Sequence, residues 1–217
     1  MKKKLLIFDL DGTLADTLIT IRDGVNMAMS QNGFSCRTYD EVRRAIGNGA
    51  VELIRRTVPE EFRNDEETVN RVYADYNRAY GEIFADIDGC YPFVSEALHE
   101  LCNRGYTIAV LSNKPDPLVK SIIKKLFADG VFKIAQGQTE LPRKPDPTVP
   151  LMIAEQLGFE PKMVAFIGDS DVDIFTGKNA GMLSVGCSWG YRDLDVLEKA
   201  GADIIINSPT ELIDVFK

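Results

Sequence analysis

The fold is decided by one N-terminal stretch, Leu5-Leu6-Ile7-Phe8-Asp9-Leu10-Asp11-Gly12-Thr13-Leu14. Its first four residues are apolar without interruption, which is typical of a strand covered on both faces in a parallel sheet. The apolar run stops at Asp9, so we expect this carboxylate to emerge at the C-terminal edge of the strand, where open α/β sheets bind ligands. Asp11 follows closely, and two carboxylates so near each other are unfavourable without a cation.

Two interpretations of the residues after this strand are open at this point. Asp-Gly is a common turn pair, so Asp11 and Gly12 could belong to an Asx-type turn that merely leads into a helix. Alternatively, the backbone of Gly12 and the hydroxyl of Thr13 could meet a phosphate or a metal ion. The ends of the later strands bear on this choice.

The composition indicates a globular protein. Of the 217 residues 45% are apolar, which is enough for one large domain or for a core with a smaller insertion. No run approaches the ~18 apolar residues of a membrane span, and the N-terminus lacks the features of a signal peptide, so a cytoplasmic location is expected. The four cysteines lie far apart without a C-x-x-C pair, which predicts neither a zinc knuckle nor a disulfide framework.

The charge limits the class of partner. A formal net charge of −8 argues against nucleic acid and against an anionic membrane, because both are bound by a net basic surface. A small phosphorylated metabolite remains compatible, since one magnesium ion and one or two lysines can make a positive pocket within an acidic protein. An acidic surface fits a monomer and a homodimer equally.

Residues 15–85 are predicted to form a helical domain inserted after the first strand. Apolar residues recur there at helical spacing, no strand pattern interrupts the interval, and Thr38 with Glu41 predicts a capping box. The predicted helices cover residues 18–33, 38–47, 51–58 and 69–83.

The remainder of the chain alternates between strand and helix patterns. This alternation predicts the α/β class, with a doubly wound parallel sheet formed by residues 1–14 and 86–217. Beyond the first strand, the predicted strands cover residues 106–111, 131–135, 163–167, 183–185 and 203–206.

Three of these strands end in polar residues that are capable of catalysis. The first is followed by Asp9 and Asp11, the second by Ser112 and Asn113, and the fourth by Asp169. Because the carboxyl ends of parallel strands share one edge of a sheet, this coincidence is the strongest signal in the sequence.

The motifs at these strand ends resemble those of the haloacid dehalogenase superfamily, in its phosphatase branch. Asp9-Leu10-Asp11-Gly12-Thr13-Leu14 is similar to its first motif, and Leu111-Ser112-Asn113-Lys114-Pro115 to the second. Lys144-Pro145 is similar to the third motif, and Gly168-Asp169-Ser170-Asp171-Val172-Asp173 to the fourth. The acid at position 11 points to phosphatases and phosphomutases, since the dehalogenase and phosphonatase branches lack it and transport ATPases carry threonine.

The resemblance implies covalent phosphoryl transfer. Asp9 would be the nucleophile that forms an aspartyl-phosphate, and Asp11 would be the general acid and then the general base. Lys144 would supply a positive charge to the phosphoryl group and to Asp9. A simple surface lysine at position 144 is the alternative.

The resemblance also implies a magnesium site and a phosphate site. Magnesium would be held by Asp9, the main-chain carbonyl of Asp11 and Asp169, with Asp173 in support. Asp173 could instead be only a carboxylate favoured at a helix N-terminus. The residues expected to bind the substrate phosphate are Gly12, Thr13, Ser112, Asn113 and Lys144.

The helical insertion resembles the small cap of the phosphoglycolate-phosphatase-like subfamily. Its turn at Gly47, Asn48 and Gly49 is similar to that group's cap loop, in which a glycine-flanked backbone can approach a small anion. A helix C-cap followed by an N-cap is the alternative for this turn. The cap is expected to close over the substrate by hinging near Asp16 and near residues 86–89.

Phosphoglycolate is therefore the preferred substrate, and three alternatives stay open. A pyrophosphatase of the same subfamily would keep every motif. A β-phosphoglucomutase would usually carry an acid where this chain has Gly168, and would lack the Asn113-Lys114 pair. A non-catalytic phosphate-binding protein on the same fold is the third, although it would not need a nucleophile plus an acid.

Overall fold

A computed structural model of the chain describes residues 4–83 and 89–217. The chain divides into two compact units. The core unit falls within Met1–Ala15 and Gly89–Lys217, and the helical unit within Asp16–Asp88. The first division follows residue 15, whereas the expected boundary follows residue 14. The expected boundary at 85/86 and residues 86–88 of the hinge expected at 86–89 lie outside the described residues.

The described part of the helical unit consists of helices that bury one apolar stripe each. In the first and last helices these stripes contain Leu18, Val25, Val69 and Val72, all with no exposed surface. The helices are α1 (Leu18–Gln31), α2 (Tyr39–Ala45), α3 (Ala50–Thr57) and α4 (Glu66–Ile83). None of the described helices of either unit is both long enough and apolar enough to cross a bilayer.

The predicted capping box at the start of α2 is confirmed. Thr38 Oγ1 accepts a hydrogen bond from the Glu41 backbone N–H, and Glu41 Oε2 accepts one from the Thr38 backbone N–H at 2.7 Å. The helix ends at Ala45, before the predicted Gly47. Gly47 and Gly49 both have positive φ angles, 121° and 86°, in the turn that leads to α3.

The core unit contains the predicted doubly wound parallel sheet. All of its six strands run parallel, and their spatial order is β3-β2-β1-β4-β5-β6. Strand order reverses beside β1, so β1 lies at the centre of the sheet, at the kind of switch point where this fold binds ligands. The strands are β1 (Leu5–Phe8), β2 (Thr107–Pro115), β3 (Ile134–Gln138), β4 (Val164–Gly168), β5 (Leu183–Cys187) and β6 (Ile204–Ile206).

Helices connect successive strands of this sheet. The sequence pattern also predicts core helices at residues 93–104, at 118–127, from the Pro-rich segment 144–147 to 157–158, and at 171–180. These four are confirmed to within a few residues at their ends, whereas the helices after β5 and after β6 are not predicted. The core helices are α5 (Val94–Asn103), α6 (Asp116–Leu126), α7 (Thr148–Gln156), α8 (Asp171–Asn179), α9 (Leu194–Ala200) and α10 (Leu212–Val215).

Two strands differ from their predicted bounds by three or more residues at one or both ends, and these two differences are linked. β2 does not end at Leu111 but continues through Pro115, with a register shift against β3 between these two residues. β3 was predicted at 131–135 and lies three residues later, because it pairs with the extended β2 up to Gln138. Gly137 makes this possible, since a Cβ there would lie 2.4 Å from the Asp116 Cα.

The centre of the sheet is the centre of the core. Ile7 on β1 has no exposed surface and belongs to a cluster with Phe166 on β4, Leu111 on β2 and Val149 on α7. Burial of this strand on both faces explains its uninterrupted apolar sequence.

We predict that Ile7→Ala lowers the free energy of unfolding by about 2–5 kcal/mol, because it removes buried methyl groups from a packed site. Ile19→Ala is the matched control, since Ile19 on α1 is 51% exposed and should change stability by about 0.5 kcal/mol or less. Urea unfolding of both variants measures the difference. Equal losses would contradict the central position of β1.

Candidate active site

Asp9 occupies the first position after β1. Its backbone N–H donates to the Ile167 carbonyl at 2.8 Å, which continues the β1–β4 ladder by one residue. The chain then turns tightly, with the Leu14 and Ala15 N–H groups both donating to the Leu10 carbonyl at 2.9 Å. The run of strand residues therefore delivers a carboxylate, 8% exposed, to the C-terminal edge of the sheet.

Lys144 is the cation of this site. Its Nζ lies 2.8 Å from Asp9 Oδ1 and 2.7 Å from Asp173 Oδ1, and its side chain is 3% exposed. The ammonium also lies 5.5 Å from the centre of the Phe166 ring, within cation–π range. Burial by itself lowers the pKa of Lys144, but the carboxylates of Asp173 and Asp9 outweigh burial and raise it, so the side chain stays charged.

Asn113 fixes the backbone that carries this lysine. Its Nδ2 donates to the Lys144 carbonyl at 3.1 Å, and its Oδ1 accepts from the Lys144 N–H at 2.9 Å. The end of β2 is thereby joined to the loop before α7. The side chain of Asn113 thus positions Lys144, a role that no local pattern of residues indicates.

Asp169 lies directly after β4 and accepts two hydrogen bonds. The Thr13 hydroxyl donates to Oδ1 at 3.1 Å, and the Tyr191 backbone N–H donates to Oδ2 at 2.7 Å. Two glycines leave room for this carboxylate. A Cβ at Gly190 would lie 2.2 Å from the Asp169 Cβ, and a Cβ at Gly12 would lie 2.5 Å from its Oδ2.

Asp173 has two functions in the structure. Its Oδ2 accepts hydrogen bonds from the Ser170 N–H at 3.1 Å and from the Ser170 hydroxyl at 2.6 Å, which caps α8. Its Oδ1 contacts Lys144. Asp173 is therefore the carboxylate at a helix N-terminus that the sequence suggests, and its support of a metal ion stays a prediction.

Asp11 is paired with a different lysine. Lys114 Nζ lies 3.1 Å from Asp11 Oδ1 and 3.2 Å from Oδ2. Ser112 accepts the Lys114 backbone N–H through its hydroxyl at 3.3 Å and is itself buried. The contact depends on the extension of β2 through residues 112–115.

The carboxylates of this site outnumber its buried ammonium groups. Asp9, Asp169 and Asp173 each offer one oxygen, and these three oxygens lie within 4.8 Å of one another. Burial raises the pKa of Asp9 to about 7; Lys144 opposes this increase, whereas repulsion from Asp173 adds to it. Burial, followed by repulsion from Asp173 and Asp9, raises the pKa of Asp169 to about 8.

These properties fit a divalent cation. Asp9 Oδ1 is buried and, despite its proximity to Lys144, has no hydrogen-bonding geometry with any group in the described part of the chain. Carboxylate oxygens are the ligands that hard divalent cations prefer. A cation beside Asp9 and Asp169 would stabilise their charged forms, which burial and then repulsion between the carboxylates disfavour.

The structure brings most of the predicted site residues together at one edge of the sheet. The predicted set within the core unit consists of Asp9, Asp11, Gly12, Thr13, Ser112, Asn113, Lys144, Asp169 and Asp173. Gly47, Asn48 and Gly49 belong to the helical unit, and their proposed role in specificity stays a prediction.

Sequence reasoning missed three contributors, which are Lys114, Gly190 and Tyr191. Lys114 stood within the second motif without a role. Gly190 follows β5, whose end lies at the same edge of the sheet. Its place after a strand is the only sequence feature that could have indicated a role in the site. Tyr191 contributes a backbone N–H, which carries no residue signature.

A buried carboxylate after β1, a buried lysine beside it and a cluster of carboxylates at the ends of β1 and β4 are typical of a phosphoryl-transfer hydrolase on a Rossmann-like core. Residues 6–187 match the haloacid dehalogenase-like hydrolases, and the chain belongs to this family. The resemblance inferred from the four motifs is thus confirmed.

Relatives within the family are more specific. A phosphoglycolate phosphatase of Psychrobacter arcticus is 33% identical, over 100% of this chain and 94% of the relative. A phosphoglycolate phosphatase of Haemophilus influenzae is 33% identical, over 98% of this chain and 97% of the relative. The crystal structure of a predicted phosphoglycolate phosphatase from Haemophilus somnus superposes with a TM-score of 0.93 at 30% identity, covering 100% of this chain and 99% of that one.

The raised pKa values predict how the metal-free protein responds to pH. The fold holds Asp9 and Asp169 protonated up to about pH 7 and about pH 8, whereas the unfolded chain releases these protons near pH ~3.9. The folded state therefore binds more protons across this window, so the stability contributed by these groups is complete below it and is lost as the pH rises through it. Thermal unfolding in chelator should show this loss.

Magnesium should stabilise the protein increasingly over the same window, because it binds the deprotonated carboxylates. Asp169→Asn should reduce this stabilisation, while Asp171→Asn should retain it, since the Asp171 carboxylate is not a member of the cluster. A magnesium effect on the melting temperature that is constant across the window would contradict the assignment.

Proposed function

We propose that the protein is a magnesium-dependent phosphatase that hydrolyses a small phosphate monoester, preferentially phosphoglycolate, through an aspartyl-phosphate on Asp9. The observation that carries this proposal is the environment of Asp9. Its buried carboxylate stands beside the ammonium of Lys144 and within an acidic cluster that fits a divalent cation. A purely structural ion pair would not need the additional buried carboxylate of Asp169.

The nucleophile and the acid act in sequence. A carboxylate oxygen of Asp9 forms a bond to phosphorus while the bond from phosphorus to the leaving-group oxygen breaks, and Asp11 gives its proton to that oxygen. Asp11 then removes a proton from a water molecule that attacks phosphorus. The bond from phosphorus to Asp9 breaks, which releases inorganic phosphate and restores both carboxyl groups to their initial states.

The remaining core residues position the phosphoryl group. Lys144 holds the Asp9 carboxylate and offers positive charge to the equatorial oxygens, on which charge accumulates in the transition state. Ser112 and Asn113 supply hydrogen-bond donors at the end of β2. Gly12 and Thr13 form the turn whose backbone contacts the phosphate in this proposal. The Thr13 hydroxyl also orients Asp169.

The proposed magnesium ligands are Asp9, the main-chain carbonyl of Asp11 and Asp169, with Asp173 in support. When bound, the ion supplies charge compensation for the carboxylates and the phosphate. Thr13 and the Tyr191 N–H hold Asp169 in place. Ser170 holds Asp173.

The choice of phosphoglycolate is supported by the relatives named phosphoglycolate phosphatase, which this chain matches along nearly their whole length. We propose that the turn at Gly47, Asn48 and Gly49 contributes to substrate choice. The mutase alternative is disfavoured by Gly168, because a Cβ there would lie 2.3 Å from the Asp173 Cγ, leaving no space for an acidic side chain. A pyrophosphatase shares every core feature and is distinguished by assay.

We predict that Asp9→Asn abolishes magnesium-dependent phosphate release, since the amide is a poor nucleophile. Asp11→Asn should reduce turnover by about 10²–10⁴, the usual contribution of general acid–base catalysis. Asp195→Asn, which removes an exposed carboxylate on α9, is the matched control and should retain full activity. The measurement is kcat/KM for phosphoglycolate, pyrophosphate and β-glucose 1-phosphate.

Normal turnover by Asp9→Asn would refute the covalent mechanism. Preference for pyrophosphate would retain the mechanism and replace the proposed substrate. Isomerisation of β-glucose 1-phosphate without phosphate release would favour a mutase, and inactivity towards every substrate would favour a binding protein.

A further inference from the structure

Lys114, like Lys144, is a buried lysine in contact with an aspartate of the first motif, yet the proposed reaction gives it no role. Its side chain is 5% exposed, and its Nζ lies at nearly equal distances, 3.1 Å and 3.2 Å, from the two oxygens of Asp11. The Asp11 side chain is 12% exposed. A lysine loses considerable side-chain freedom when it is buried, so this placement requires a compensating interaction.

The backbone around Lys114 is held from several directions. Its N–H donates to the Ser112 hydroxyl, and the next residue, Pro115, pairs with Gln138 of β3 after the register shift. Asp116 then accepts the Gly137 N–H at 2.9 Å. Lys114 therefore extends from a fixed segment, unlike a lysine on a surface loop.

We propose that Lys114 is a positioning residue that orients the Asp11 carboxyl group for proton delivery to the leaving-group oxygen. This inference rests on the proposed function of Asp11 as the general acid. Contact with both oxygens restricts rotation of the Asp11 carboxylate. When Asp11 is protonated, the ammonium still has an acceptor in the oxygen without the proton, so the orientation persists in the form that donates.

The two buried lysines divide the work between the two carboxylates of the first motif. Lys144 contacts Asp9, where the phosphorus bond forms, and Lys114 contacts Asp11, where the proton is transferred. Loss of Lys114 should consequently slow departure of the leaving group most for those substrates whose leaving group needs a proton. Misplacement of a catalytic group by about 1 Å can reduce a rate by about 10²-fold.

The test compares three substrates by kcat/KM, which reports on the steps up to departure of the leaving group. Phosphoglycolate and ethyl phosphate both release an alkoxide that needs a proton, but only phosphoglycolate carries a carboxylate. p-Nitrophenyl phosphate releases a stable phenolate. We predict that Lys114→Met lowers kcat/KM by about 10- to 100-fold for the two alkyl phosphates, and by about threefold or less for p-nitrophenyl phosphate because that leaving group does not depend on the acid.

Matched variants separate positioning from a general loss of structure. Lys120→Met removes a 62%-exposed lysine on α6 and should leave all three values unchanged. Lys114→Gln keeps one donor for Asp11 and should lie between wild type and Lys114→Met, which also covers the case in which Lys114→Met does not fold. Adding Lys114→Met to Asp11→Asn should cause no further loss, since both changes affect one proton transfer.

Two results would overturn the proposal. An equal loss for the three substrates would mean that Lys114 supports the site as a whole, and a loss confined to phosphoglycolate would mean that it binds the substrate carboxylate. The Asp9→Asn variant, assayed in parallel, keeps the two proposals distinguishable. If Asp9→Asn is inactive and the Lys114 variants do not lose more activity towards the two alkyl phosphates than towards p-nitrophenyl phosphate, only the positioning role fails.

Discussion

The interaction on which the site depends is the buried contact of the Lys144 ammonium with Asp9 and Asp173, at 2.8 Å and 2.7 Å. These two carboxylates come from the end of β1 and the first turn of α8, so one cation joins the central strand to the helix beyond β4. Removal of one partner from such a buried pair leaves an uncompensated charge, which typically lowers the free energy of unfolding by about 3–5 kcal/mol. Asn113 adds a third element, because it holds the Lys144 backbone from the end of β2.

The same arrangement leaves negative charge in excess. Asp169 is buried next to Asp9 and Asp173, and backbone and hydroxyl donors hold it without neutralising it. Glycines set how closely these carboxylates approach, since a side chain at Gly190 or Gly168 would occupy the space they need. In the metal-free protein, packing therefore holds these carboxylates close together despite their repulsion, as is common at functional sites.

The strand ends and their polar residues could be predicted because the signal is local. An apolar run that stops at a carboxylate, as at Asp9, requires only the strand itself to be identified. The same holds for the cap of α8, where Ser170 and Asp173 stand at the spacing of a capping box. At Ser112 the apolar run stops although β2 continues through Pro115, so there the pattern locates the polar residue but not the end of the strand. Burial by the sheet then brings these ends to one edge without any further information from the sequence.

The remaining contacts depend on pairings between distant segments, and for this reason no local pattern indicates them. The extension of β2 through Lys114 follows from its shifted pairing with β3, whose Gln138 has no apolar pattern. The donor from Tyr191 to Asp169 is a backbone N–H, so any residue type could provide it. In both cases the contact is determined by how backbone segments are placed in the fold and not by the type of side chain.

The two carboxylates of the first motif illustrate how this geometry produces function. Asp9 and Asp11 are separated by a single residue, and in isolation they would have similar chemistry. The fold makes them different by giving each its own lysine from a separate segment, Lys144 from the loop before α7 and Lys114 from the extension of β2. In the proposed reaction, the cation beside Asp9 also faces the phosphate, whereas the cation beside Asp11 orients the proton donor. In the proposed mechanism, the distinction between attack and proton transfer thus originates in the partners of the carboxylates and not in the carboxylates themselves.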